Sequence, residues 1–156
     1  MIITYDSHKQ FLIKLLKGGV NFILIGGYAV NYYGYGRATG DMDVLLEPNN
    51  ENRDRLIEVL NKENFDASDL TKLREVDFTK PFVFFIGEIP LRIDFLTKIN
   101  LVTYEEADAQ KKYFPLEDIQ VPVISLDHLV LSKNPTGREN DKTDIEYLQR
   151  INIKKG

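Results

Sequence analysis

Val20-Asn21-Phe22-Ile23-Leu24-Ile25-Gly26-Gly27-Tyr28-Ala29-Val30, followed by Asp41-Met42-Asp43-Val44-Leu45-Leu46, is the stretch whose reading decides the fold. Val20 to Ile25 is short, apolar and β-branched, which is the composition of a buried strand. Gly26-Gly27 breaks it, and Tyr28 to Tyr33 reads as a short helix closed by Gly34. Met42 to Leu46 is a second strand, ended by Pro48. A strand, a glycine turn and a helix start leave unpaired N–H groups facing outward, and the helix dipole adds partial positive charge. Glycines there let phosphate approach the backbone. A plain strand-to-helix turn has the same local pattern.

Asp41-Met42-Asp43 is weak evidence as a pattern, because aspartate occupies 13 of the 156 positions and about one Asp-x-Asp arises by chance. Position says more. The pair opens a strand that turns apolar at once, and alternation projects Asp41 and Asp43 from one face, within reach of one ion. Two like charges so close cost free energy unless a cation or basic partner offsets them. The alternative is a solvated strand end after Gly40. Asp94 lies inside Leu91-Arg92-Ile93-Asp94-Phe95-Leu96, a strand pattern in which an isolated carboxylate is expensive to desolvate. It is a third carboxylate converging on the first two, a partner of Arg92, which alternation puts on the same face, or an Asp at a solvated edge.

Outward from this centre, Ser7-x-x-Gln10 predicts a capping box for a helix carrying Phe11, Leu12, Leu15 and Leu16, stopped by Gly18-Gly19. Asn49 and Asn50 cap a helix with Leu56, Ile57 and Leu60 inward. A shorter helix is expected over Asp69 to Val76, then strands over Phe82 to Ile86 and Leu91 to Leu96 around Gly87-Glu88. Val121 to Ile124 is one more strand, and Ser125 caps a helix through Lys133. After Asn134-Pro135-Thr136-Gly137, a last helix uses Ile145, Leu148 and Ile151. The expectation is an α/β (α+β) fold, a mixed sheet flanked by helices with further helices at the C-terminus, as one domain over residues 1–156.

Composition agrees with a soluble cytoplasmic protein: 43% hydrophobic, 28% charged, net charge −4. No apolar run approaches the ~20 residues of a membrane span, and no secretory leader is expected. With no cysteine there is no disulfide framework, zinc ribbon or thiol nucleophile. Metal chemistry must use carboxylates and the two histidines, which favours hard ions such as Mg²⁺. His8 reads as exposed in a first helical turn and His128 as a packed core histidine.

Gly26-Gly27-Tyr28-Ala29-Val30, then Gly34-x-Gly36-Arg37-x-Thr39-x-Asp41-x-Asp43, then Asp94 on a later strand, closely resembles the polymerase-β-like nucleotidyltransferase superfamily. Within it the chain looks most like small stand-alone bacterial members: minimal nucleotidyltransferases, AbiEii-type toxins, and lincosamide or aminoglycoside nucleotidyltransferases. The match runs from about Val20 to Leu96, the expected catalytic core. The segment 121–151, with Ser125-Leu126-Asp127-His128-Leu129, Lys133, Arg138 and Asp141, resembles the closing helices less specifically. Many members carry Gly-Ser at the turn; here it is Gly-Gly, so one side-chain phosphate contact is absent.

The resemblance implies transfer of a nucleoside monophosphate from an NTP to an acceptor hydroxyl, with pyrophosphate leaving. Asp41, Asp43 and Asp94 would be catalytic and would hold two Mg²⁺ ions, or Mn²⁺ in their place. Asp94 would also accept the acceptor proton. Gly26 and Gly27 would cradle the phosphates, with Arg37 and Thr39 as further nucleotide contacts. Arg37 is equally suited to a surface ion pair. Tyr28, Tyr32, Tyr33 and Tyr35 are dense enough beside the turn to stack on a base, although Tyr32 and Tyr35 also suit core or rim packing. Lys133, Arg138 and Lys142 form a basic cluster, but interleaved Glu139, Asp141 and Asp144 suit a solvated helix face. The acceptor stays open between tRNA, a protein hydroxyl and an antibiotic. The rival readings are an antitoxin or regulatory module that binds a partner protein, and a phosphate-binding fold of unrelated chemistry in which Asp94 merely pairs with Arg92.

Overall fold

The computed structural model describes residue 3, residues 5–34 and 40–133, and the backbone of residues 150–153. The elements run α1 (Asp6–Lys17), β1 (Phe22–Ile25), α2 (Gly26–Tyr32), β2 (Met42–Leu46), α3 (Asn50–Lys62), α4 (Ala67–Arg74), β3 (Val83–Ile86), β4 (Ile93–Leu96), α5 (Tyr104–Gln110), β5 (Lys112–Leu116), β6 (Ile119–Val123), α6 (Leu126–Lys133) and β7 (Arg150–Ile153). The strands form one mixed sheet in the order β5-β6-β1-β2-β4-β3-β7.

β1 is buried along its whole length, as a four-residue apolar run in the middle of a sheet must be. β2 pairs antiparallel with β1, placing Ile25 opposite Asp43. On its other edge β2 pairs in parallel with β4, placing Asp43 opposite Asp94. Parallel neighbours need a crossover, and α3, α4 and β3 supply it. Beneath the sheet Phe84 stacks on Phe95 at 4.9 Å between centroids, extended by Phe78 and Phe82.

Several boundaries differ from the local reading for identifiable reasons. α1 begins at Asp6 after an extended Tyr5 and has no side-chain cap, so Ser7 lies inside the first turn and makes no capping box. The helix expected over Asp69–Val76 starts earlier, where Asp66 accepts from the N–H groups of Ser68 and Asp69. The N-cap of α3 is Asn49, which accepts from Asn52 N–H. The helix α5 is an addition, closed by a Thr103–Glu106 capping box. So is β5, which forms a hairpin with β6. β4 starts at Ile93 rather than Leu91. Of the expected last helix, Ile151 lies instead in β7, parallel to β3, while Ile145 and Leu148 lie outside the described residues. No helix among the described residues is long and apolar enough to cross a membrane.

Candidate active site

The parallel register of β2 and β4 makes Asp43 and Asp94 direct neighbours, at the strand ends from which both segments enter the sheet. Asp41 sits two residues earlier, just outside β2. The three carboxylates expected from sequence are thus brought together, and Arg92 is among them. Arg92 Nη2 lies 3.3 Å from Asp41 Oδ2 and 3.3 Å from Asp94 Oδ2. Arg92 Nε lies 3.1 Å from Asp94 Oδ1, a charge contact without hydrogen-bond alignment, so both buried atoms lack a directed partner. The guanidinium rests 4.9 Å above the centre of the Phe85 ring, and Phe85 faces Asp94 across β3 and β4. The pairing of Arg92 with Asp94 was legible from alternation; the reach to Asp41 was not.

Asp43 is pushed up from the ordinary carboxylate value of 3.8 to about 6. Burial is the largest cause; the charges of Asp94 and Asp41 add to it, the neutral acid can donate to Asp94, and Lys133 opposes the shift. Lys133, exposed at the end of α6, thus contributes a favourable charge at Asp43.

The glycine turn packs directly on this centre. Gly26 opens α2 at φ +67°, and a Cβ there would fall 2.8 Å from Asp43 Cγ and closer still to Oδ2. The missing side chain at this position thus makes room for a carboxylate, in addition to leaving the backbone open. Gly27, the next residue, is buried in the first turn, which carries no side-chain cap at its N-terminus.

His8 is 1% exposed, contrary to its reading as a surface residue. Its Nε2 lies 3.1 Å from the Leu91 carbonyl, which can only accept, so Nε2 carries the hydrogen. Nδ1 then accepts from the Tyr28 hydroxyl at 2.8 Å. Burial holds the imidazole below its ordinary pKa, consistent with this neutral tautomer. His8 so ties α1 to α2 and to the residue before Arg92. Its replacement by alanine leaves a hydroxyl and a carbonyl unsatisfied. We expect a loss of about 2–4 kcal/mol in urea denaturation; a loss below about 1 kcal/mol would show that the link is not structural.

Tyr28 is fully buried and committed to His8, so it is no platform for a base. Tyr33 donates to the Ile124 carbonyl at 2.6 Å, and Tyr32 packs edge-on against Tyr33 and Phe114. His128 is half-buried on α6 rather than a core residue, and its N–H meets Ser125 Oγ at 3.3 Å. Arg37, Thr39, Tyr35, Arg138 and Lys142 lie outside the described residues. A cleft of about 480 Å³ between Pro48, Pro81, Ile99 and Tyr104 opens at the opposite ends of β2 and β4, away from the carboxylates.

Among the described residues, no three acidic, histidine or cysteine side chains stand ready to hold a metal ion. The donor set nevertheless fits a hard divalent cation: oxygen ligands only, two of them in register, one with a raised pKa and one with a buried unaligned oxygen.

The mixed sheet flanked by helices is a nucleotidyltransferase fold. Two solved structures share it: a proposed nucleotidyltransferase (TM1012) from Thermotoga maritima, with TM-score 0.58, 13% identity, and coverage of 90% of this chain and 89% of that one; and the lincosamide antibiotic adenylyltransferase LnuA, solved with lincomycin bound, with TM-score 0.52, 16% identity, and coverage of 93% and 96%. The chain belongs to the family described as "Nucleotidyl transferase of unknown function (DUF2204)", which matches residues 4–156. No functionally curated protein matches it in sequence.

Proposed function

We propose that this protein moves a nucleoside monophosphate from an NTP to an acceptor hydroxyl with release of pyrophosphate, using Asp41, Asp43 and Asp94 around Mg²⁺. The observation that carries this reading is the Asp43–Asp94 register beside Gly26. Residues 1–156 act in it as one domain, in the cytoplasm, where NTP and Mg²⁺ are supplied together.

Asp41 and Asp43 would hold one ion, and with Asp94 a second; Mn²⁺ can substitute. When bound, the ions supply positive charge to the attacking and leaving oxygens of an in-line displacement. The rest falls to the chain. Asp94 accepts the proton of the acceptor hydroxyl as its oxygen bonds to the α-phosphorus and the bond to the β-phosphate bridging oxygen breaks. The Gly26 and Gly27 N–H groups bind phosphate oxygens, and Lys133, with Arg37 and Thr39, completes the nucleotide contacts. Asp43 must be ionised to serve as a ligand; its upward shift to about 6 belongs to the metal-free site, and a bound cation lowers it.

The test is incubation with each labelled NTP, Mg²⁺ or Mn²⁺, and tRNA, protein or antibiotic acceptors, with pyrophosphate and labelled product as readouts. The likeness in fold to a lincosamide adenylyltransferase makes a lincosamide with ATP a natural first pair. Metal plus NTP is also expected to raise the melting temperature through binding linkage. An equal rise for the Asp41→Ala/Asp43→Ala protein would sink the catalytic reading and leave a partner-binding module, such as an antitoxin.

A further inference from the structure

Arg92 stands where a site built for cations already holds one. It lies within 3.3 Å of both Asp41 and Asp94, and its guanidinium is a cation with donors only. Its hold is loose. Good charge-assisted N–H···O bonds measure about 2.7–2.9 Å, whereas the three contacts here are 3.1–3.3 Å and the shortest is not aligned. Nε and Nη2 face the two Asp94 oxygens side-on, and Nη2 also reaches Asp41, so one guanidinium spans two carboxylates. The Phe85 face supports the guanidinium without adding a hydrogen bond.

We propose that Arg92 is a resident counter-ion that competes with the divalent cation for Asp41 and Asp94, keeping the site from binding metal alone. The inference rests on the reading of these carboxylates as a metal–nucleotide site. Three carboxylates gathered at one sheet end repel one another: Asp43 stands opposite Asp94 in the β2–β4 register, and Asp41 lies two residues before it. Arg92 offsets this repulsion while nothing is bound, through its contacts with Asp41 and Asp94. For the carboxylates to close on a divalent ion, the guanidinium must leave, and it leaves most readily when a triphosphate brings new negative charge for it to meet. Metal entry is then coupled to nucleotide entry.

The experiment is titration of the nucleotide-free protein with Mn²⁺, followed by calorimetry and by the Mn²⁺ paramagnetic resonance signal. Wild type, Arg92→Gln, Arg92→Lys and Arg92→Gln/Asp43→Ala are compared. Arg92→Gln is expected to bind Mn²⁺ at least tenfold more tightly than wild type, to melt at a lower temperature without metal, and to recover more of its melting temperature on adding Mn²⁺. Arg92→Lys, which keeps the charge but cannot span two carboxylates, should fall between them; it carries the test if Arg92→Gln does not fold. Equal or weaker Mn²⁺ binding by these variants would overturn the competition while leaving the metal site standing. Mn²⁺ binding that is undiminished by adding Asp43→Ala, or is absent from every protein, would overturn the underlying site as well.

Discussion

Asp43→Asn is expected to abolish nucleotide transfer and, without metal, to make the protein more stable. The loss of activity should be on the order of 10³-fold or greater, because the amide removes a negative ligand from the position that faces Asp94. The gain in stability has a separate origin. Asp43 titrates near 6 in the folded protein against 3.8 for an ordinary aspartate, so the folded state binds its proton more tightly than the unfolded chain. The contribution of Asp43 to stability is therefore greatest below about 3.8, declines as pH rises toward 6 and is lost above it. At neutral pH the accumulated penalty is on the order of 3 kcal/mol, which the neutral amide avoids. Urea denaturation in EDTA at pH 7.5 and pH 5 checks both sign and size. The wild type should lose stability between pH 5 and 7.5 relative to Asp43→Asn; parallel pH profiles would show that the carboxylate carries no such penalty.

Gly26→Ala is expected to destabilise the protein by roughly 2–4 kcal/mol and to cost most of its activity. Left-handed backbone at φ +67° disfavours alanine by about 1–2 kcal/mol. The added methyl also overlaps the Asp43 carboxylate, and overpacking of this kind costs about 1–3 kcal/mol. The overlap predicts coupling between two residues seventeen positions apart in sequence. In an Asp43→Ala background the cost of Gly26→Ala should shrink by about 1 kcal/mol or more, though not vanish, since Asp43 Cβ would itself meet the new methyl at 2.9 Å. Additive costs would mean that only backbone strain matters, and Gly26 would lose its role in making room for the carboxylate.

Where the local signal was strong, sequence and structure coincide. β2 has the bounds Met42–Leu46 in both, because an apolar run between Asp43 and Pro48 has little freedom. α3 has its Asn49 cap and its buried Leu56, Ile57 and Leu60. Where the signal was a motif without burial behind it, the reading failed in both directions. Ser7-x-x-Gln10 has capping-box spacing, yet α1 starts a residue earlier, with Tyr5 and His8 packed edge-on at 5.4 Å. Thr103-Tyr104-Glu105-Glu106 has the same spacing and does form the box, on a helix with only Tyr104 and Ala107 buried. His8 looked exposed because one helical turn does not reveal what packs on it; Tyr28 and Leu91 reach it from 20 and 83 positions away.

By itself the sequence determined the kinds of group available: hard oxygen ligands and no thiols, a glycine turn between a strand and a helix, and aspartates at strand ends. Alternation along a strand was enough to put Arg92 and Asp94 on one face. Which carboxylates meet was decided by the tertiary structure, through the crossover that lays β4 parallel to β2 and sets Asp43 against Asp94. The same register carries Arg92 to Asp41 across 51 positions and seats Asp43 in the space that Gly26 leaves open. The physical reason is range: side-chain periodicity is a local property of the chain, whereas desolvation and charge repulsion depend on neighbours that only strand pairing supplies.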